Sequence, residues 1–246
     1  MALIEEFQQQ GIWLFRWRSY LPLAFLALIG VAFLYFDWPM NSYMFHEVWS
    51  YACFGVSVLG VVIRVLTVGH TPAGTSGRNA RRQIAETLNT SGMYSIVRHP
   101  LYLGNFLIGL GISFVLFVWW LPVIYTLLFW VYYERIMFAE EAFLRHKFGE
   151  PYQQWASMTP AFLPRFTNWR RADLPFSFRN ALRREYTAVM VVILGHTGLE
   201  IVEHLIMDHR LVWETFWGLL LFGGLAMYVV LRMLKRQTQM LDVPGR

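Results

Sequence analysis

Hydrophobic residues fall along the chain in six long, nearly unbroken runs: Leu21–Phe36, Val48–Val68, Leu101–Trp120, Leu121–Phe138, Tyr186–Met207 and Leu211–Leu234. A helix needs about 20 residues to cross a hydrocarbon core of about 30 Å, and each run is of that order. The runs are continuous rather than alternating, which predicts helices and not barrel strands. Lipid admits only segments that satisfy their own backbone polar groups. The pattern therefore predicts an all-α polytopic membrane bundle of about six transmembrane helices.

The polar breaks divide the chain further. Residues 1–20 read as an interfacial amphipathic lead-in carrying Phe7, Ile12, Trp13, Phe15 and Trp17, and residues 21–68 as two transmembrane helices. The segment Gly69–Gly92 begins as a loop of Gly, Ser and Thr, and Arg78–Leu88 predicts a short surface helix. The third and fourth runs meet at "VWWLP", which predicts a tight hairpin. The fourth continues as a helix until Gly149 and Pro151 stop it. The hairpin and its flanks make a central unit over 69–170, and the last two runs make an accessory hairpin over 171–246.

Composition supports this picture. Of 246 residues, 56% are hydrophobic and 15% charged, against about 25% charged in an average soluble domain. Cys53 is the single cysteine, which excludes an intrachain disulfide framework and a cysteine metal site. Glu5 and Glu6 before the first run, with no small-residue cleavage site after it, argue against a signal peptide. Every Lys and Arg except Arg210 falls on one side of the predicted bundle. That side is then cytoplasmic, with both termini on it. A bacterial inner membrane is the expected location. The net charge of +5 sits on that face, beside anionic lipid, and no nucleic-acid-binding module accompanies it.

The chemistry concentrates where the third and fourth helices begin and end. Arg98 and His99 stand at the mouth of the third helix; Glu134, Glu140 and Glu141 stand at the same membrane face of the fourth. A hairpin brings the two groups together. A cation-rich edge facing a carboxylate-rich edge suits a zwitterion, with a carboxylate on Arg98 and an ammonium or hydroxyls on Glu140 or Glu141. Interfacial ion pairing alone is the plainer alternative. Pro100 starts the helix where its missing N–H costs nothing, Tyr102 offers a ring and a hydroxyl, and Gly104 leaves room for a ligand to approach the backbone. Arg78, Arg81 and Arg82, after a loop with free backbone donors, are candidates to receive a lipid phosphate.

The stretches "GMYSIVRHPLYLGN" and "EEAFLRHKFGEPYQQW" closely resemble the isoprenylcysteine carboxyl methyltransferases and the related phospholipid methyltransferases. The residues that carry the resemblance are Gly92, Tyr94, Arg98, His99, Pro100, Tyr102, Gly104, Glu140, Glu141, Phe148, Gly149 and Tyr152. It implies an integral-membrane enzyme that takes S-adenosylmethionine from the cytosol and a lipid or lipid-linked substrate from the bilayer. Tyr94, Arg98, His99, Tyr102, Gly104, Glu140 and Glu141 carry over as the cofactor pocket, with Tyr152 shaping the site beside the substrate. Methyl transfer from a sulfonium needs positioning and dryness rather than a metal. An anionic acceptor, phosphate or carboxylate, needs no base and is slightly favoured over a phospholipid amine, which must first lose a proton and for which the sequence offers no unambiguous base. Arg64 or Arg98 would hold it.

Two other readings stand beside this one. Membrane sterol reductases share an Arg-His-Pro-x-Tyr stretch and bind a nicotinamide dinucleotide phosphate; there Asn commonly follows the proline, where this chain has Leu101. A non-catalytic protein that kept the fold is the third reading. Separately, "GHTGLEIVEH" sets His196, Glu200 and Glu203 on one face of the fifth helix, with His204 adjacent. Interhelical packing, a substrate contact and a metal site completed by residues from elsewhere all fit that cluster.

Overall fold

The structure, a computed structural model, describes residues 3–17, 21–75 and 84–246. Helix α1 (Leu3–Trp17) is followed, after a 3-10 turn over Leu21–Ala24, by α2 (Phe25–Phe33) and α3 (Tyr43–Gly69). Then come the short α4 (Met93–Ile96), α5 (Pro100–Phe114), α6 (Trp120–Phe148) and α7 (Glu150–Met158). The long helices α8 (Phe178–Met207) and α9 (Thr215–Gln237) complete the order. No strand occurs among the described residues.

The helix starts follow local chemistry. The Ser42 hydroxyl accepts from Phe45 N–H at 3.2 Å to cap α3, and Ser177 accepts from Asn180 N–H at 3.3 Å to cap α8. Pro100 occupies the first turn of α5. Helix α6 ends at Gly149, whose φ of +58° suits glycine and folds α7 back. Gly92, at φ +60°, makes the corresponding bend ahead of α4.

Among the described residues three helices, α3, α8 and α9, are long and apolar enough to cross a membrane, and α5 is a shorter apolar helix. The protein is thus an all-helical integral membrane protein. The first predicted run becomes a helix of only 9 residues. The third ends at Phe114, because residues 115–119 make the turn expected later.

Packing is tightest between α3 and α5, which run antiparallel. A Cβ on Gly60 would lie 2.5 Å from Gly104 O, and one on Gly104 2.8 Å from Gly60 O, so the two backbones touch. Helix α8 lies along α3, also antiparallel. Helix α1 is not a lone interfacial element. It packs against α6, with Arg135 Nε donating to Gln10 Oε1 at 2.7 Å and Tyr132 OH to Leu14 O at 3.2 Å.

Candidate functional site

The site starts where the extended residues before α5 meet the segment after α7. Arg98 N–H donates to Pro160 O at 2.9 Å and His99 N–H to Ala161 O at 3.2 Å. These main-chain bonds fix both side chains at the head of α5. Arg98 Nη1 donates to Ala156 O (2.7 Å) and Thr159 O (3.1 Å), and its Nε to Glu141 Oε1 at 3.0 Å. One guanidinium thus ties together α5, α6 and α7.

His99 Nε2 lies 3.0 Å from the same Glu141 oxygen, and its Nδ1 3.6 Å from Glu140 Oε2. Tyr102 OH donates to Glu140 Oε1 at 2.6 Å, and its ring stacks on His99 at 5.6 Å. The arginine–histidine corner and the twin-glutamate corner therefore meet in one network. Burial works against charge on His99, but hydrogen bonds and Coulombic attraction from Glu140 and Glu141 outweigh it and raise its pKa. Burial likewise opposes ionisation of Glu141, yet His99 and Arg98 hold its pKa below the ordinary carboxylate value. Burial and the Glu141 charge push the Tyr152 hydroxyl up.

The network continues across the bundle. Tyr102 packs on Tyr133 (4.8 Å between ring centres), whose hydroxyl accepts from Asn105 Nδ2 at 3.2 Å. Asn105 Oδ1 in turn accepts from Arg64 Nη1 at 2.6 Å. Arg64 then grips Glu185 of α8 at two points, Nε to Oε2 at 2.7 Å and Nη2 to Oε1 at 3.1 Å.

Two sequence expectations change here. Arg64 stands on the wall of the site but is not a free cation: Glu185 and Asn105 occupy it. The space at Gly104 is not open to a ligand either. A Cβ there would sit 2.5 Å from Arg64 Cγ, so the glycine serves contact between α3 and α5. Glu185 went unread, because in "RREYTAV" it resembles an ordinary interfacial charge. Its pairing with Arg64, 121 positions away, leaves no local signal.

These groups open onto one cavity of about 1520 Å³. Its polar end is lined by Tyr94, Arg98, His99, Tyr102, Glu140 and Tyr152, with Arg64 and Glu185 further in. Its apolar trunk runs between α2, α5 and α8, along Leu28, Ile29, Ile112, Leu194, Leu199 and Val202. Helix α8 thus builds one wall of the same space. Of the Gly69–Gly92 segment, Ile84–Leu88 is non-helical, with Ile84, Ala85 and Thr87 on the cavity wall. Arg78, Arg81 and Arg82 lie outside the described residues.

The polar end suits a small zwitterion. Arg98 and the charged form of His99 favour a carboxylate, and Glu140 favours an ammonium or hydroxyls, all on one wall. That donor and acceptor set fits S-adenosylmethionine. Tyr94 and Tyr152 add ring surface beside it. His196, Glu200, Glu203 and His204 do not join this network. His196 hydrogen-bonds Ser57 at 2.9 Å, and the other three gather at the far end of α8.

A sequence model of the phospholipid methyltransferase family matches residues 48–151. The protein-S-isoprenylcysteine O-methyltransferase of Schizosaccharomyces pombe is 32% identical over 85 residues, 35% of this chain and 36% of that protein. A probable protein-S-isoprenylcysteine O-methyltransferase of Oryza sativa subsp. indica is 32% identical over 123 residues, 48% and 63% of the two chains. The nickel-cobalt-cadmium resistance protein NccN of Alcaligenes xylosoxydans xylosoxydans is 30% identical over 157 residues, 63% and 65% of the two. In each case the chain spans less than two thirds of the relative's length. No solved structure matches the chain.

Proposed function

From the match of residues 48–151 to the phospholipid methyltransferase family model, we propose that this protein is an integral-membrane methyltransferase. It uses S-adenosylmethionine and methylates the polar head of a lipid or lipid-linked molecule. The observation that carries this reading is one continuous cavity. Its one end presents Arg98, His99, Tyr102 and Glu140, and its trunk is an apolar trough of a bilayer-spanning bundle. A water-soluble zwitterion and an acyl or prenyl chain find suitable walls in one continuous space.

S-adenosylmethionine supplies a methyl group on a positively charged sulfur, already activated for in-line displacement. Arg98 attracts its carboxylate through the Nη2 side of a guanidinium whose Nε and Nη1 are fixed by Glu141, Ala156 and Thr159. His99 adds positive charge behind it, and Glu140, fixed by Tyr102, takes its ammonium or hydroxyls. The apolar trunk excludes water from the reacting atoms. The acceptor in this reading is anionic, a phosphate or carboxylate. Its two glutamates raise the pKa of His99 and engage both of its ring nitrogens, so His99 is poorly placed to take a proton from an ammonium acceptor. Glu185 is occupied by Arg64. The relatives' names include both prenylcysteine and metal-resistance proteins, so the acceptor class rests on the cavity.

In the membrane, α3, α8 and α9 cross the bilayer, α2, α5 and α6 insert beside them, and both termini in the cytoplasm agree with the distribution of basic residues. The polar end of the cavity then opens on the cytosolic face of a bacterial inner membrane. The central unit over 69–170 holds the cofactor, and the hairpin over 171–246 shapes the lipid trough.

Titration calorimetry on protein purified in detergent tests the reading. Saturable S-adenosylmethionine binding, lost in Arg98→Ala and weakened in Glu140→Gln, is the expected result, together with gain of one methyl mass in a lipid class. Saturable binding of a nicotinamide cofactor without S-adenosylmethionine binding would replace it with a reductase. Binding of neither would point to a non-catalytic protein.

A further inference from the structure

Helix α3 and helix α8 meet again at their other ends, and there the pairing is of a different kind. His46 is fully buried, and its Nε2 lies 2.7 Å from Oε2 of the equally buried Glu203. Glu200, one turn away on α8, is also buried, and it accepts from Tyr43 OH at 3.5 Å. His204 Nε2 faces Glu200 Oε1 at 3.5 Å. From Glu185 to Glu203 is eighteen residues along α8, or about 27 Å at the helical rise, so this cluster is separate from the cavity's polar end.

Two features set the cluster apart from an ordinary ion pair. Three of its buried atoms have no hydrogen-bond partner: His46 Nδ1, Glu203 Oε1 and His204 Nε2. Buried polar atoms in a native fold are rarely left so. Also, no lysine or arginine pairs with Glu200 or Glu203 among the described residues. The Glu200 and Glu203 carboxylates and the imidazoles of His46 and His204 are thus packed beside the rings of Phe36, Trp38 and Tyr43, with Trp38 5.1 Å from His46, and the Asp208 carboxylate closes the outer side 2.6 Å from His204 Nδ1. Burying carboxylate charge without a compensating cation is costly.

We propose that His46, Glu200 and Glu203 form a binding site for a divalent first-row transition ion of the zinc or cobalt type; His204, paired with Asp208 at 2.6 Å, stands beside it on Glu200. One ligand atom from each of the first three residues lies within 4.8 Å of the others. Ligands about 2.0 Å from a tetrahedral zinc stand about 3.3 Å apart. Small side-chain rotations close that gap. Nitrogen and carboxylate oxygen ligands suit zinc and cobalt rather than magnesium or calcium. Ser50, 3.4 Å from His46 Nε2, and Tyr43, on Glu200, orient two of the ligands. The ion would supply the missing positive charge and clamp α3 to α8 opposite the Arg64–Glu185 pair.

The test uses the full chain in detergent, stripped with chelator and titrated with Co2+. Wild-type protein should take up one ion per chain, develop visible d–d absorption, release Co2+ to added Zn2+, and unfold at a higher temperature as Zn2+ rises. Glu203→Gln and His46→Gln should each fall to background uptake, while the exposed His209→Ala should bind like wild type. Wild-type protein with neither absorption nor a Zn2+-dependent thermal shift would overturn the proposal. So would folded Glu203→Gln and His46→Gln variants that bind Co2+ as wild type does, or His209→Ala losing the ion as fully as they do. The wild-type readings decide the matter even if a variant fails to fold.

Discussion

Arg64 on α3 and Glu185 on α8 hold each other by two parallel contacts, 2.7 Å and 3.1 Å, on the wall of the cavity. Eighteen residues away along each helix, His46 meets Glu203. The two antiparallel helices are thus joined by polar contacts at both ends, and only the Arg64 end opens on the proposed methyl-transfer site.

Removing one partner leaves the other stranded. With side-chain exposures of 11% and 4% for Arg64 and Glu185, Glu185→Ala should cost about 3 kcal/mol, the usual penalty for an uncompensated buried charge. The double variant Arg64→Met/Glu185→Leu should recover most of the loss. Thermal unfolding in detergent, compared across the three proteins, checks both statements.

Close helix contact predicts a contrast between two glycines. Gly104→Ala places a methyl 2.5 Å from Arg64 Cγ and should destabilise, by about 1–3 kcal/mol of overpacking. Gly55→Ala, on α3 with nothing within 4 Å of the new carbon, should be neutral or stabilise by up to about 1 kcal/mol. Chemical denaturation of the two variants side by side reads the sign directly.

The Tyr102 hydroxyl can be removed without removing its ring. Tyr102→Phe keeps stacking against His99 and Tyr133 and loses the 2.6 Å bond to Glu140. S-adenosylmethionine affinity should fall about tenfold, the scale of one hydrogen bond to a charged group, with an unchanged melting temperature. Calorimetric titration measures the first and a thermal scan the second.

The His99–Glu141 contact gives the fold a pH window. The pKa of His99 is raised above 6.5 in the folded state, so its contribution is full below 6.5 and fades as pH rises through the raised value. The pKa of Glu141 is lowered from 4.5, so its contribution is full above 4.5 and fades as pH falls through the lowered value. Stability from this pair should therefore be greatest between those limits. His99→Gln should flatten the alkaline decline in melting temperature; an identical decline in that variant would show that other groups cause it.

Much of the site was readable in the sequence, and the reason is local. Arg98, His99 and Tyr102 sit within one turn at the head of α5, and Glu140 and Glu141 are consecutive on the next long helix. A hairpin, once recognised, leaves those groups little choice but to meet. Glu185 and His46 were not readable in this way. Their partners are 121 and 157 residues distant, and hydropathy carries no information on which face of one spanning helix turns to another. Gly104 was misread for a related reason: a glycine near a motif signals close approach, but not whether a ligand or a neighbouring helix approaches. Helix ends also shifted, because the turn at residues 115–119 is itself apolar and hydropathy runs through it.

The bend at Gly149 has a consequence for which length changes the chain can absorb. It turns α7 back so that the carbonyls of Ala156 and Thr159 reach Arg98. One added residue within α7 would rotate everything after it by about 100° and swing both carbonyls off the guanidinium. The stretch from Glu141 to Thr159 therefore works as a ruler, and insertions should survive in the exposed turn around Phe117 long before they survive there.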